Sequence, residues 1–376
     1  MANAASPYST YTDTTPHKRI VTDYITLLDP SDAPFVEAIG GLDGAASKFR
    51  FTNQGKVVEW LEDTLTPLAG TFSLSATAVS TLATLTLATS EGNNIQPGHI
   101  LLSTTEVMWV SAISGDNITV TRGLAGDATR LTLATNATYA VVGMARLEGD
   151  DSDSIGYTDI TVGSNYTQIF HKEIKVTGTE MYQDSYGISD PYQYQAAKSI
   201  PEMMRLIERS LQYGVRSAGS ASTPRMMGGY DTFITDNLAA GDSISVTDIE
   251  DAVELAYNDG SGGDFVAIIS PANYQKVKAL YDSSNFVRYA PEQNTFGTLV
   301  DKIVTPFGNV SFVIDRWQQS SEIPILKLDN VGMLTLRPWQ VEDLAKTGDF
   351  EKTELVGEFT LCIKQDKSHA LMTNVS

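Results

Sequence analysis

Apolar residues recur at Ile200, Met204, Ile207, Leu211 and Val215, three or four positions apart, and this period draws one apolar stripe along a long amphipathic helix. Asp190 supplies an N-cap, Pro191 suits the first turn, and Gly219 offers a stop. The opposite side carries Glu202, Arg205, Glu208, Arg209, Gln212 and Arg216, and is expected to face water or a neighbouring chain. Pro201 removes one backbone hydrogen bond within the run. The spacing therefore predicts a kink near Ala197, or a short helix followed by a longer one.

On the N-terminal side of that helix, residues 1–15 (MANAASPYSTYTDTT) are small and polar, without the apolar surface needed to order themselves. They read as an arm held in place by another copy of the chain. Ile20, Tyr24, Leu27 and Leu28 suggest a short helix that Asp29-Pro30 ends, and Pro34 opens another helical turn before Gly40-Gly41. KFRFTNQGKVVEWLEDTL has the β-branched and aromatic content of an extended strand. From Pro67 to about Ala145, Thr, Ser, Ala and Gly dominate. Strand-like runs follow at 83–88, 99–102, 106–112, 117–122 and 138–143, with Gly98, Gly115 and Gly123 at the turns. This spacing predicts a small β-barrel or sandwich inserted at the tip of a two-stranded loop, which would set Leu68 opposite Leu147, or Ala69 opposite Arg146.

Beyond the long helix the pattern mixes helices and strands. Thr247 to Glu250 reads as a capping box ahead of Ile249, Ala252, Val253, Ala256 and Tyr257 on one helical face, with Gly260 as its end. FVAIIS (265–270) is a buried strand, and Ser270-Pro271 starts a helix with Tyr274, Val277 and Tyr281 inward. Strands at 310–315, 323–328 and 333–338 are joined by loops too short for crossover helices, which predicts antiparallel pairing. In the last long strand Leu355, Phe359, Leu361 and Ile363 share one face, and Glu358, Thr360 and Lys364 the other.

Composition narrows what these elements can do. Lys+Arg 26 against Asp+Glu 46 gives a formal net charge of -20, which repels phosphate backbones, so packaged or free DNA is at most a weak ligand. The lone Cys362 excludes an internal disulfide framework, and no signal peptide or membrane span is expected. No GxxxxGK[ST], HExxH or G-x-S-x-G motif is present. His17, His99, His171 and His369 are scattered, and Cys362 has no neighbouring base in sequence. Glu148, Asp150, Asp151 and Asp153 could hold a cation but lack EF-hand spacing. No catalytic, cofactor-binding or metal residue is assigned, no cofactor is expected, and the chain reads as a non-enzyme.

The order of arm, charged two-stranded loop, long helix, α+β domain and final strand resembles the HK97-type major capsid proteins of tailed bacteriophages. TDYITLLDPSDAPFVEAIGG followed by FRFTNQGKVVEWLEDTL is similar to the N-terminal signature of the phage SU10 major capsid group, with Asp29, Pro30, Asp32, Pro34, Phe35 and Trp60 matching. RLEGDD (146–151), MRLIERSLQYG (204–214), LAKTGDFEKTELVGEFTL (344–361) and SHALMTN (368–374) extend the likeness. The resemblance implies an α+β, HK97-like capsid fold with an N-arm (1–55), an extended loop (56–71 and 146–180), the inserted all-β domain (72–145), a peripheral domain with a spine helix (181–222 and 345–370), an axial domain (223–344) and a C-terminal tail (371–376). It implies a head-shell subunit forming hexamers and pentamers in the virion. That shell, icosahedral or prolate, is assembled in the bacterial host cytoplasm around double-stranded DNA. A separate scaffolding protein, a portal and possible decoration proteins are the expected partners; no charged helical segment that could act as a fused scaffold precedes the arm. Two rivals stay open: an encapsulin-like nanocompartment shell, and a secreted carbohydrate-binding protein or hydrolase, for which only Trp109 offers an aromatic platform.

Overall fold

The computed structural model describes residues 32–42, 55–74, 82–104, 106–124, 132–149, 158–183, 188–240, 244–260, 262–283 and 302–375. The chain divides into two compact units, Leu61–Gly163 and the remainder.

Helix α1 (Pro34–Ala38) and strand β1 (Val57–Glu62) come first, and β1 runs into the smaller unit. There the chain forms β2 (Ala69–Thr71), β3 (Thr84–Thr86), β4 (His99–Ser103), β5 (Glu106–Ser114), β6 (Asn117–Arg122) and β7 (Thr138–Met144). They lie in the order β2-β7-β4-β5-β6-β3, every neighbour antiparallel. The two edges then meet. A bridge joins Phe72 to Leu87, Ser73 N–H donates to Thr86 O at 2.9 Å, and Ala88 N–H donates to Thr71 O at 2.9 Å. The sheet is thus a closed barrel, which leaves no unpaired edge. Alternation decides its inside: in β6 Ile118 and Val120 point inward while Asn117, Thr119 and Thr121 face water. Phe72, Leu85, Leu101, Met108, Val110 and Tyr139 complete the core. One ion pair is buried in the barrel, Arg122 with Glu106, at 2.8 Å from Nε and 2.5 Å from the second guanidinium nitrogen. The register differs from the expected one at the base. Ala69 pairs with Ala140, and Val141 N–H donates to Leu68 O at 2.6 Å, so neither Leu147 nor Arg146 stands opposite.

Strand β8 (Thr161–Tyr166) pairs with β1 as a two-stranded ribbon and is followed by β9 (Gln168–Thr177), α2 (Gly178–Tyr182) and the long helix α3 (Pro191–Tyr213). Asp190 caps α3 by accepting from Tyr192 and Gln193 N–H at 2.9 and 3.1 Å, with Pro191 in the first turn. The helix continues through Pro201 as one element rather than splitting. It stops at Gly214, not Gly219, because the Met227–Gly229 backbone closes on it: Gly229 N–H donates to Gly214 O at 2.8 Å, and a Cβ on Gly214 would lie 2.6 Å from Met227 O. Its buried face is Ser199, Met203, Ile207, Glu208, Leu211 and Gln212, whereas Ile200 and Val215 are 49% and 67% exposed. The stripe is therefore rotated from the apolar period, since Glu208 and Gln212 find polar partners inside.

After α3 come α4 (Tyr230–Phe233), β10 (Leu238–Ala240), α5 (Val246–Asp259), β11 (Gly263–Ile269), α6 (Pro271–Ser283), β12 (Lys302–Thr305), β13 (Gly308–Ile314), β14 (Ile323–Leu326), β15 (Val331–Asp343), β16 (Phe350–Ile363) and β17 (Ala370–Thr373). The capping box of α5 is Ser245 with Asp248, two positions before the expected start at Thr247. Ile249, Ala252, Val253 and Ala256 are buried, and Tyr257 stays at the surface against Phe307. Gly260 caps the helix end, and Tyr274 and Val277 of α6 are buried; the Tyr281 side chain lies outside the described residues. A six-stranded mixed sheet runs β10-β17-β14-β11-β13-β12. The expected antiparallel run of three strands is not formed. β13 lies parallel to β11 on one side and β14 antiparallel to it on the other, while β15 leaves for a second sheet, β15-β16-β9. In β16 both faces are covered from Gly357 onward, so Glu358 and Thr360 are buried rather than solvated.

Candidate assembly surfaces

Helix α1 has five residues and no capping side chain of its own at Ala33. Its cap comes from α3. The buried Glu208 carboxyl accepts the N–H of Phe35 at 2.6 Å and of Val36 at 3.0 Å. Beside it Asp315, after β13, accepts from Trp317 N–H at 2.8 Å and from the Gln212 side-chain amide. Burial lifts both carboxyls above their usual range, and the neighbouring Asp315 pushes Glu208 further up. Phe35, Val36 and Ile39 pack with Ile207, Leu211 and Tyr230. At the rim Arg316 Nε lies 2.8 Å from Asp32 Oδ2, and Trp317 Nε1 donates to Asp32 O at 3.2 Å. The segment leaving residues 1–31 is thus anchored on α3 and on the β13–β14 connection. The arm itself lies outside the described residues.

A second anchor holds the root of the β1–β8 ribbon. Asn165 is fully buried and satisfies both ends of its amide: Nδ2 donates to Leu361 O at 2.7 Å and Gly228 O at 3.2 Å, and Oδ1 accepts from Gly228 N–H at 2.9 Å. Two residues on, Thr167 Oγ1 donates to Glu358 Oε1 at 2.6 Å. That buried carboxylate also takes Arg225 on Oε1 and Arg337 Nε at 3.2 Å on Oε2. Arg225 Nε donates to Thr167 O at 2.6 Å, so one arginine ties the ribbon root, the loop after α3 and β16 together. Trp60 of β1 is buried against Phe233, with Val58, Leu334 and Cys362 around it.

Within the smaller unit several apolar residues of the ribbon and its continuations are uncovered, interspersed with Glu62, Asp63, Thr64 and Asp159. Leu61, Leu65, Leu68, Leu147, Ile160 and Val162 are 59% to 94% exposed. Single exposed apolar residues are ordinary on a protein surface, but here four leucines, an isoleucine and a valine are exposed on the two chain segments that flank the barrel.

The residues singled out from sequence separate clearly. Cys362 is a buried packing residue. His369 is buried with Nδ1 accepting from Lys327 N–H at 3.1 Å, and burial lowers its pKa to about 4. Burial also lowers His99, His171 lies 3.1 Å from Glu354, and His17 lies outside the described residues. Glu148 is exposed, and Asp150, Asp151 and Asp153 lie outside the described residues; among those described, no three potential metal ligands converge. Among the described residues no helix is long and apolar enough to cross a membrane. Glu208, Asn165 and Glu358 escape sequence reasoning. The one local trace is a charged residue at 208 flanked by Ile207 and Leu211 of the apolar period.

The comparisons with known proteins agree with this geometry. A family model described as SU10 major capsid protein matches residues 8–376. The major capsid protein of Escherichia phage Phieco32 is 23% identical over 303 residues, covering 65% of this chain and 86% of that relative. Among solved structures, the cyanophage A-1(L) capsid asymmetric unit aligns with a TM-score of 0.54 at 11% identity, over 98% of this chain and 99% of that one. The holo-SrpI encapsulin complex from Synechococcus elongatus gives a TM-score of 0.40 at 11% identity, over 60% and 78%. The cyanophage alignment establishes the HK97-type capsid fold, and the family match over nearly the entire length establishes that this chain belongs to the SU10 major capsid proteins, a structural phage family without enzymatic activity.

Proposed function

We propose that this chain closes a phage head as hexamers and pentamers, using the ribbon and the N-terminal arm as its reaching contacts around double-stranded DNA. The observation that carries this reading is the set of exposed apolar residues Leu61, Leu65, Leu68, Ile160 and Val162 in the smaller unit. Exposed apolar side chains cost free energy in water and gain it by lying on another subunit. The domain map follows the same division: arm 1–55, extended loop 56–71 and 146–180, insert 72–145, peripheral 181–222 and 345–370, axial 223–344, tail 371–376. Assembly takes place in the bacterial host cytoplasm. A separate scaffolding protein keeps the apolar ribbons from indiscriminate pairing until subunits are placed, and a portal and decoration proteins are further partners. The net charge of -20 keeps contact with packaged DNA weak.

Two changes test the reading. Deletion of residues 2–28 and, separately, Leu65→Asp should leave soluble folded subunits that form no particles by electron microscopy. Normal shells from both would refute it. A filter-binding titration of the subunit with duplex DNA at moderate salt should show no saturable binding.

A further inference from the structure

The barrel unit carries a cleft of about 810 Å³ that capsid assembly leaves without a role. Its size falls within the roughly 300–1,000 Å³ of small-molecule sites. Trp109 lines it from the outward face of β5, in the alternation that sends Met108 and Val110 into the core. The indole N–H is already engaged, donating to Ala145 O at 2.8 Å, so the ring is fixed and what remains for contact is its apolar surface. Polar residues line the cleft around it: Asn93, Asn94, Asp159 and Arg146, with Ser111, whose hydroxyl already donates to Thr119 O at 3.1 Å.

The wall bearing the two asparagines is rigid before any ligand arrives. Asp116 accepts from Gly92 N–H and Ser90 N–H, each at 3.1 Å, and its own carbonyl accepts from Leu87 N–H at 2.8 Å. Gly92 packs so closely on the β5–β6 turn that a Cβ would lie 2.1 Å from Gly115 O. The turn from Glu91 to Asn94 is therefore pinned, yet among the described residues no side-chain hydrogen bond engages the Asn93 or Asn94 amides, or the Asp159 carboxylate. Amides offer donors and acceptors together, and one arginine against one aspartate leaves little net charge. Such a lining selects against phosphates and free cations. It suits a neutral ligand with many hydroxyls and an apolar ring face.

We infer that this cleft binds a neutral oligosaccharide, with Trp109 under a sugar ring and Asn93, Asn94 and Asp159 on its hydroxyls. The site would give the chain an affinity for neutral glycans independent of shell closure.

The test uses the full chain, as subunits and as assembled shells, with maltotriose, cellotriose, xylotriose, mannotriose and chitotriose as probes in saturation-transfer NMR and calorimetry. At least one should bind saturably. Trp109→Ala should weaken it at least about tenfold, which is the discrimination one lost anchor contact provides. Trp109→Phe should restore part of the affinity. Asn94→Ala, at a half-buried position outside the barrel core, should weaken binding while circular dichroism and shell formation stay unchanged, so that failure here is separable from failure to fold or assemble. No saturation with any of the five probes would overturn the inference. So would binding indifferent to both Trp109→Ala and Asn94→Ala, or shells in which a neighbouring subunit fills the cleft.

Discussion

The backbone N–H of Phe35 donates to Glu208 Oε1 across 2.6 Å, although 173 positions separate the two residues. A short helix that cannot cap itself is thereby completed by a carboxyl from the spine helix, and the quality of that cap depends on a proton. Burial raises Glu208 from 4.5 to about 8, and Asp315 moves in the same direction. A carboxyl with a raised folded pKa holds more protons folded than unfolded. Its stabilisation is complete below about pH 4.5 and is lost as pH climbs towards about 8, when two carboxylates must share one buried site. Protection of the Phe35 and Val36 amides, corrected for intrinsic exchange, should therefore fall over that window. Glu208→Gln cannot ionise and can still accept one N–H. Its protection should be nearly flat with pH, and an unchanged slope in the variant would remove Glu208 as the cause.

Glu358 serves two arginines and a threonine, with a side chain only 5% exposed. Arg225→Ala should destabilise the larger unit by about 2–3 kcal/mol in chemical denaturation, less than a sole buried partner would cost because Arg337 remains. Glu358→Ala should cost more, since it removes the carboxylate shared by two guanidiniums and leaves the Thr167 hydroxyl only its longer contact with Lys56 O at 3.3 Å. In a Glu358→Gln background the cost of Arg225→Ala should shrink. Strict additivity would mean that the pair does not interact.

Inside the barrel the Arg122–Glu106 pair has side chains 3% and 1% exposed. Glu106→Ala removes the carboxylate that faces a buried guanidinium and should destabilise the unit by about 3–5 kcal/mol, whereas Glu106→Leu combined with Arg122→Met should be close to neutral. Hydrogen exchange across residues 61–163 reads this without assuming that the whole chain unfolds in one step. Equal losses from the single and double changes would show that packing, not charge, sets the cost.

These residues also show what the sequence can reveal. The barrel is legible because its strands are half-buried, so Ile118 and Val120 alternate with Asn117 and Thr119 and the period is local. The cap of α3 at Asp190 is equally local. The buried face of α3 is not. Glu208 and Gln212 are interior only because Phe35, Val36 and Asp315 arrive from 173, 172 and 103 positions away, and no helical period encodes a distant partner. The strand order around β11 is hidden for a related reason: short loops limit which strands can be neighbours but do not prevent β13 and β14 from flanking a third strand. Trp109 is visible as an aromatic residue in a polar stretch, but its meeting with Asn93, Asn94 and Asp159 depends on the barrel closing.

Closure of the barrel at its base fixes the last prediction. Ala69 and Ala140 are Cα partners across an antiparallel pair, where directly opposed residues lie about 4.5–5.5 Å apart, within reach of a disulfide. Ala69 is exposed and Ala140 half-buried, and both are small, so cysteines can replace them without emptying the core. In a Cys362→Ser background, which removes the lone native thiol, Ala69→Cys with Ala140→Cys should oxidise readily and slow exchange throughout residues 69–144. Ala69→Cys with Arg146→Cys should not, because Arg146 follows the end of β7, six residues beyond Ala140, and strands advance about 3.3 Å per residue. Gel shift after mild oxidation distinguishes the two. If the Arg146 pair closes and the Ala140 pair stays reduced, β2 does not pair with β7 in this register, and the barrel opens at the point where Phe72 and Leu87 are held to complete it.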